Sequence, residues 1–121
     1  MEEKIRSFTD LKAWQESHKL VLDIYGFTNN FPQREIFGLS SQMRRAAVSI
    51  TSNIAEGFSR ITNKDKAQFY SISLGSLTEL QSQLYVARDI GYINKADFLK
   101  IFDKIILVSK LLNGLKRIRF V

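Results

Sequence analysis

Residues 41–57 read SQMRRAAVSITSNIAEG and have the length and periodicity of an amphipathic α-helix. Apolar residues of this run and its flanks recur at spacings of three and four, which is the period of one helical face. That predicted face consists of Leu39, Met43, Ala46, Ala47, Ile50, Ile54 and Phe58. The run therefore predicts a helix over about 38–58 that buries one side.

A polar band flanks this apolar face when the residues are placed at about 100° intervals. The band consists of Gln42, Arg45, Ser49, Ser52, Asn53 and Glu56. We expect Arg45 to pair with Ser49 or with a carboxylate on a neighbouring helix. Arg44 projects to the other side and is expected to face outward, as the better candidate for an outside partner. Polar residues expected to serve assembly or structure are Gln42, Ser49, Asn53, Glu56 and, further along the chain, Glu79.

Small residues recur in this helix and in the third segment, and small side chains allow two helices to approach closely. They are Ala46, Ala47, Ala55 and Gly57, together with Ser73, Gly75 and Ser76. We expect them to mark tight packing between the second and third helices.

Three polar breaks, TNNFPQRE, SRITNKDK and GYINKAD, divide the chain into four segments with helical period. Helices are expected at about 9–30, 38–58, 64–90 and 94–118, within a single domain over residues 1–121. Thr9 or Asp10, Asn94 and Gly91 are suited to cap helix ends. Four long amphipathic helices with short connections predict an all-α, antiparallel up-and-down four-helix bundle.

The same periodicity predicts which side of each remaining helix is buried. The predicted stripe of helix one is Leu11, Trp14, His18, Val21, Leu22 and Tyr25; that of helix three is Phe69, Ser73, Ser76, Leu80, Leu84 and Ala87; that of helix four is Phe98, Phe102, Ile105, Ser109 and Leu112. Apolar residues off these stripes are Leu20, Ile24, Phe27, Leu107, Leu111 and Ile118. They indicate a second buried face and therefore self-association, unless they widen the core stripe.

Composition excludes several kinds of site. The 121 residues contain no cysteine, which excludes disulfides, thiolate metal ligands and cysteine nucleophiles. The first residues lack the apolar core of a signal peptide, and no apolar run is long enough for a membrane span. We expect a cytoplasmic protein.

Catalytic patterns are also missing from the sequence. The single histidine, His18, falls on the predicted core side of helix one, where it is expected to be structural. Glu56 and Glu79 could meet inside the bundle, but an arginine partner explains them better. No phosphate-binding glycine motif occurs. We expect no enzyme activity, no metal and no cofactor; an enzyme that uses a cavity between subunits is a weaker alternative.

Positive charge is the remaining functional signal. The net charge is +6, which favours binding to a polyanion such as RNA or DNA. The candidate binding residues are Arg44, Arg45, Arg60, Lys64, Lys66, Arg88, Lys116, Arg117 and Arg119. Since a phosphate backbone requires only suitably spaced cations, we expect electrostatic binding without base readout. The alternative is an interaction or scaffold protein whose arginines serve subunit assembly without nucleic acid.

Three stretches resemble a known family in their order and spacing. They are FTDLKAWQESHKLVLDIY (8–25), FPQREIFGLSSQMRRAAVSITSNIAEGFSR (31–60) and FYSISLGSLTELQSQLYVARDIGYI (69–93). They resemble the 23S rRNA intervening-sequence proteins, to which the accessory variability protein of diversity-generating retroelements is similar. The family motif places Arg44, Arg45, Asn53, Glu56 and Gly57 in its characteristic second-helix segment.

This resemblance implies a four-helix bundle that assembles as a homopentamer and has no enzyme activity. The retroelement relatives bind nucleic acid and a reverse transcriptase through a positively charged surface. The resemblance therefore implies nucleic acid as a partner, and a reverse transcriptase as a candidate protein partner.

Overall fold

The computed structural model describes residues 4–118, which form four α-helices and no strand. The helices are α1 (Lys12–Thr28), α2 (Leu39–Ser59), α3 (Asn63–Asp89) and α4 (Lys95–Arg117), with 3-10 turns at Phe8–Asp10 and Gln33–Glu35. The all-helical class expected from the sequence is confirmed. Three helices begin and end within one residue of the expected ranges, whereas α1 begins later because the first turn is separate.

The four helices pack in a ring order. α1 contacts α2 and α4, and α3 contacts the same two helices, while the pairs α1–α3 and α2–α4 lie diagonally. The core lies between them, where burial of apolar side chains supplies most of the driving force for folding. Its largest fully buried side chains include Leu20, Ile24, Met43, Ile50, Ile54, Tyr70, Leu80, Leu84, Ile101, Ile105, Val108 and Leu112.

Two of the expected helix caps are confirmed. The Asn94 side-chain oxygen accepts the backbone N–H of Asp97 at 2.8 Å, which satisfies a free donor at the start of α4. Gly91 adopts a φ of +83° after α3, a left-handed conformation that glycine adopts without steric cost. The N–H of Tyr92 then donates to the carbonyl of Ala87 at 2.9 Å and closes the helix end.

The cap expected at Thr9 or Asp10 is different in the structure. Ser7 precedes the 3-10 turn and accepts the N–H of Thr9, while the Asp10 carboxylate accepts the N–H groups of Arg6 and Ser7. α1 itself starts after Leu11 without a side-chain cap. The expected cap was therefore wrong: the cap residue is Ser7, Asp10 completes its capping box, and both belong to the turn that leads into α1.

The predicted buried face of α1 is partly wrong. Leu11, Trp14 and Val21 are half-buried and pack against the core as predicted, whereas the other three residues of the stripe do not. Leu22 is 58% exposed, Tyr25 is 42% exposed and His18 is exposed as well. The buried residues of α1 are Ala13, Glu16, Ser17, Leu20, Ile24 and Thr28. Leu22 and Tyr25 face outward while Leu20 and Ile24 face inward, so the period of the predicted stripe was correct but the stripe was rotated from the most buried side.

Two hydroxyls in the buried stripe of α1 are satisfied within their own helix. Ser17 donates to the carbonyl of Ala13 at 2.6 Å, and Thr28 donates to that of Ile24 at 2.7 Å. Polar residues that bond to the preceding turn can be buried at low cost. Such residues hide a buried face from a pattern search.

The other helices are closer to expectation. On α2, Met43, Ala46, Ala47, Ile50 and Ile54 are buried as predicted, and the two flanking residues are half-buried. The predicted stripes of α3 and α4 are partly wrong, because neighbouring residues take the most buried places. α3 buries Tyr70, Ser73, Leu77, Leu80, Leu84 and Ala87, and α4 buries Phe98, Ile101, Ile105, Val108, Leu112 and Leu115.

The apolar residues that suggested a second buried face divide into three groups. Phe27 and Leu111 are half-buried and pack against the core, so they widen the core stripe. Leu20 and Ile24 are fully buried and belong to the core, so they are no sign of self-association. Leu107 and Ile118 remain substantially exposed. Between residues 4 and 118, no helix combines the length and the apolar character needed to cross a bilayer.

Candidate nucleic-acid interface

Among the described residues, α2 and α3 share the most extensive contact between two helices. A Cβ atom on Gly57 would lie 2.7 Å from Cε1 of the buried Tyr70 and 3.0 Å from Cβ of Phe69. No side chain fits there without movement of a ring. The expected close approach is thus confirmed at Gly57. Gly75 does not contribute to it, because that residue is exposed and a Cβ there would meet nothing within 4 Å.

Side-chain hydroxyls cross the same contact. Ser73 is fully buried and donates to the carbonyl of Ile50 at 2.9 Å. The hydroxyls of Ser49 and Ser76 lie 2.8 Å apart, and the Asn53 amide donates to the carbonyl of Ser49 at 2.8 Å. Ser49 therefore bonds across the contact, whereas Asn53 bonds to Ser49 within α2.

The two adjacent arginines have the opposite surroundings from those expected: Arg44 is engaged by the fold and Arg45 faces solvent. Arg44 is half-buried, with its Nε donating to Thr28 Oγ1 at 2.8 Å and its Nη2 to Asn29 Oδ1 at 3.0 Å. Its guanidinium also lies 4.9 Å from the centre of the Tyr25 ring. Arg45 is exposed and has no side-chain partner among residues 4–118. The expected outward orientation of Arg44 and the expected pairing of Arg45 are both wrong.

The remaining polar residues expected to serve assembly or structure are solvent-facing. Gln42 and Glu79 are exposed, and their side chains make no hydrogen bond or ion pair with the part of the chain that the structure describes. Glu56 is exposed too and pairs with Arg60 at 2.9 Å. Glu56 and Glu79 therefore do not meet inside the chain, and an arginine partner accounts for Glu56.

One cavity shows which helix ends lie together. It has a volume of about 340 Å³ and is lined by Leu11 before α1, Phe58 late in α2, Lys66 early in α3 and Leu115 late in α4. Positive residues cluster around these ends, and we call them the basic end. The basic end comprises Lys12, Arg60, Lys64, Lys66, Lys110, Lys116 and Arg117.

Two cations of the basic end are engaged by the fold. Lys66 is half-buried and its ammonium donates to the carbonyl of Phe58 at 2.7 Å, at the C-terminal end of α2; burial lowers the pKa of this lysine. A cation at that end also compensates the negative pole of the helix. Arg60 pairs with Glu56 and lies 4.6 Å from the centre of the Phe69 ring.

Other cations of the basic end are available to a ligand. Lys64, Lys110 and Arg117 are exposed and have no side-chain partner among residues 4–118. Lys116 is half-buried, and Arg119 lies outside the described residues. Sequence reasoning missed Lys12 and Lys110. The signal that could have found them is topological, because each lies near a helix end that an up-and-down order brings to this side.

Three predicted cations lie elsewhere. Arg44 and Arg45 belong to the first half of α2, and Arg88 lies near the end of α3. The Arg88 Nε donates to Asp89 at 2.8 Å, which raises the pKa of Arg88, and its guanidinium lies 4.9 Å from the ring centres of Tyr85 and Phe98. The predicted binding residues therefore do not form one surface.

A carboxylate, Glu35, joins two of the connections between helices. Glu35 accepts the N–H of Leu39 at 3.1 Å, at the start of α2, and the hydroxyl of Tyr92 at 2.7 Å, in the α3–α4 connection. The Tyr92 hydrogen bond is the main reason that the pKa of Glu35 lies below its ordinary value, and it raises the pKa of Tyr92. This pair ties the α1–α2 connection to the α3–α4 connection.

A second carboxylate lies between α1 and α4. Glu16 is buried, 3.4 Å from the Lys19 ammonium and 3.6 Å from that of Lys104. Burial raises the pKa of Glu16. The hydrogen bond from Lys19 and the nearby lysine charges lower it, and together they outweigh burial, so the pKa lies below its ordinary value.

The single histidine lies away from the core, and the acidic residues of the described range form no metal site. His18 is exposed and stacks on Trp14, with ring centres 4.8 Å apart and planes at 11°, so its predicted place in the core is wrong. Within residues 4–118, no group of three histidine or carboxylate side chains is placed to hold a metal ion.

The sequence model of one protein family, the 23S rRNA-intervening sequence proteins, matches residues 9–114. The chain belongs to this family. The match includes Gly57 and the two adjacent arginines, but Lys116, Arg117 and Arg119 lie beyond it. The family resemblance inferred from the three sequence stretches is thereby confirmed.

A solved structure shares the fold. It is a protein of unknown function from the S23 ribosomal protein family of Bacteroides thetaiotaomicron, which is 23% identical to this chain. The alignment covers 88% of this chain and 99% of the other, with a TM-score of 0.78. At this identity the likeness concerns the fold alone. No curated protein matches the chain.

Proposed function

We propose that the protein is a non-enzymatic, cytoplasmic, homo-oligomeric four-helix bundle that binds RNA or DNA electrostatically through its basic end. The observation that carries the proposal is the convergence, at one end of the molecule, of cations from α1, α3 and α4 and of Arg60, which follows α2. Cations dispersed in sequence become one surface there, as phosphate-backbone binding requires.

The carboxylates at this end, Asp10, Glu56 and the exposed Asp65, are fewer than the seven cations of the basic end. Glu56 is engaged by Arg60, and Asp10 accepts two backbone N–H groups. Lys64, Lys110 and Arg117 keep their charges exposed. Such residues position a nucleic acid without reading its sequence, so we expect binding with little sequence preference.

An antiparallel arrangement supports the proposal, because it is what brings these ends together. Along the α2–α3 contact, Ser49 meets Ser76, Ile50 meets Ser73 and Gly57 meets Tyr70. Later residues of α2 thus contact earlier residues of α3, as in helices of opposite direction. We extend this direction to the whole bundle.

Exposed apolar residues on α1 and α4 support self-association. They include Leu22, Tyr25, Leu99, Ile106 and Leu107. Large apolar patches on a monomer's surface commonly mark an interface. We propose a homopentamer, as the resemblance implies. Several basic ends on one assembly would then bind a long nucleic acid with raised avidity.

The test is a titration of labelled single-stranded RNA and duplex DNA at several salt concentrations. The logarithm of the association constant should fall linearly with the logarithm of the salt concentration. Replacing both Lys64 and Arg117 by glutamine should reduce the slope by roughly 0.7–0.9 for each phosphate that the variant no longer neutralises. The matched control replaces Lys95 and Lys100, which are exposed residues of α4 outside the basic end. Absence of binding at low salt would overturn the proposal.

The second candidate is assembly without nucleic acid. It is favoured by Arg45 and Glu79, which lie on adjacent helices, are exposed and lack side-chain partners among the described residues. These groups are available for ion pairs between subunits. If Arg45→Ala and Glu79→Ala each lower the mass measured by light scattering, and no nucleic acid binds, this alternative replaces the first.

A protein partner is compatible with both candidates. Phe37 and Ile61 are each 94% exposed, which is unusual for large apolar side chains. We propose them as contact residues for such a partner, a reverse transcriptase among the candidates. A pull-down with Phe37→Ser and Ile61→Ser variants, and a purified reverse transcriptase, tests this.

A further inference from the structure

A cavity at the start of α2 is separate from the basic end. It has a volume of about 300 Å³, near the lower limit of small-molecule sites. It is lined by Thr28, Asn29, Phe31, Pro32, Gln33, Ile36, Ser40 and Arg44. Arg44 is the one charged residue in this lining, and the others supply hydroxyl and amide groups beside an apolar wall.

Ser40 is the first sign of a ligand. It is only 4% exposed, yet its hydroxyl has no hydrogen-bond partner among residues 4–118. The Ser40 oxygen is accessible from the cavity, because among the described residues the side-chain atom that is both fully buried and unpartnered is Gln83 Oε1. Because Ser40 lines the cavity, a bound group there can supply the missing partner.

Arg44 is held in position one helical turn after Ser40. Its bonds to Thr28 and Asn29 and the nearby ring of Tyr25 fix the guanidinium at the cavity wall. A guanidinium has more N–H donors than these two bonds use. The unused donors form a rigid fork of the kind that binds anionic oxygen atoms.

The N-terminus of α2 adds a third source of donors. Gly38 precedes this helix of 21 residues and provides no side-chain cap. Glu35 takes the N–H of Leu39, but the N–H groups of Ser40 and Ser41 have no acceptor in the described part of the chain. Free N–H groups and the positive pole of a helix favour an anion at this end.

We propose that this cavity binds a phosphoryl group, either the terminal phosphate of a nucleotide or nucleic acid, or free phosphate. A phosphomonoester has several anionic oxygens, which matches a hydroxyl, a guanidinium fork and helix N–H donors with no carboxylate in the lining. A cavity of this size suits a chain end better than the continuous backbone held at the basic end. Where the source is a nucleic acid, this inference rests on the proposed function and adds recognition of its 5′ end.

The experiment compares two single-stranded RNAs that differ only in a 5′-phosphate or a 5′-hydroxyl, and measures inorganic phosphate separately by calorimetry. We expect the phosphorylated strand to bind about tenfold more tightly, as charge-assisted hydrogen bonds allow. Ser40→Ala and Arg44→Gln should abolish that preference. The matched controls are Ser41→Ala and Arg45→Gln, which change exposed neighbours and should preserve it.

The outcomes separate this inference from the proposed function. Equal affinity for the two strands, with no phosphate binding, overturns the inference and leaves the basic end intact. Phosphate binding that Ser40→Ala abolishes, with neither strand bound, supports the cavity with free phosphate as its ligand and overturns the proposed function. An equally large decrease in Ser41→Ala would also overturn the inference. Circular dichroism establishes that each variant is folded.

Discussion

The α2–α3 contact and the α1–α4 contact differ in what holds them together. α2 and α3 approach so closely that Gly57 leaves no room for a Cβ atom, and Ser73 bonds across the contact to the backbone of α2. α1 and α4 instead enclose a carboxylate, Glu16, that lysines from both helices neutralise. Their outer sides carry exposed apolar residues such as Leu22 and Leu107.

The two helix contacts therefore differ in the interaction that stabilises them. The α2–α3 contact depends on shape, so an added methyl group should disturb it. The α1–α4 contact depends on charge, so it should respond to pH, and its apolar outer face remains available for another molecule. Small residues at helical spacing revealed the first contact in the sequence, whereas nothing in the pattern of α1 revealed the second.

The largest effect is expected for Gly57→Ala. The new Cβ would lie 2.7 Å from Cε1 of Tyr70, a buried ring with little freedom to move. Overpacking of this kind costs about 1–3 kcal/mol. Urea denaturation of the variant and the wild type measures the free energy of unfolding.

Gly75→Ala is the matched control for that substitution. It is also an interior helix position, but it is exposed and a Cβ there meets nothing. Replacing such a glycine should stabilise the protein by about 0.5–1 kcal/mol. If both variants change stability in the same direction, the shape-dependent interpretation of the α2–α3 contact is wrong.

Ser73→Ala should have the next largest effect. It removes the buried hydrogen bond to the carbonyl of Ile50, and a bond of this kind contributes about 1 kcal/mol. Ser82→Ala, an exposed change on the same helix, should leave the unfolding free energy nearly unchanged. Equal destabilisation of the two variants would contradict a role for the cross-helix bond.

Glu16→Gln tests the α1–α4 contact. The pKa of Glu16 is lowered on folding, so its charge stabilises the protein above the unfolded-state pKa. That contribution is lost as the pH falls through the lower, folded-state pKa. We expect the variant to be less stable by about 1 kcal/mol near neutral pH. Denaturation series at about pH 7 and about pH 3 should show the difference closing in acid; a constant difference would argue against the charge.

The smallest effect on the free energy of unfolding is expected for Leu22→Glu, at most about 0.5 kcal/mol, because the residue is exposed. Its effect on assembly should be larger, since a charge would enter the proposed subunit interface. Light scattering should report a lower mass for this variant and an unchanged mass for Val86→Glu, an exposed residue of α3. An unchanged mass in both would exclude this face of α1 from the interface.

The fold was predictable to the extent that each helix has one dominant apolar face. α2 satisfies this condition, and its buried residues follow from period and phase together. α1 does not, because Ser17 and Thr28 bury hydroxyls that bond within the helix, while Leu22 and Tyr25 face outward. Periodicity determines that a helix is amphipathic, but only the neighbouring helices determine which side they cover.

The candidate sites were less predictable because their residues come from separate segments. The helical period of α2 shows that Arg44 and Arg45 point in different directions. Only the position of the end of α1, where Thr28 and Asn29 accept hydrogen bonds from Arg44, shows which arginine is engaged. The basic end likewise depends on helix direction, which brings Lys110 to the same side as Lys64. Ser40 gave no signal at all in the sequence, since only burial without a partner distinguishes it.

The stack of Trp14 on His18 provides an optical reporter. The chain has a single tryptophan, placed between Phe8 and His18 at the start of α1, next to the basic end. All intrinsic indole emission therefore comes from this one junction. Unfolding of α1 and the arrival of a nucleic acid can both be followed by fluorescence in the unlabelled, unmutated protein.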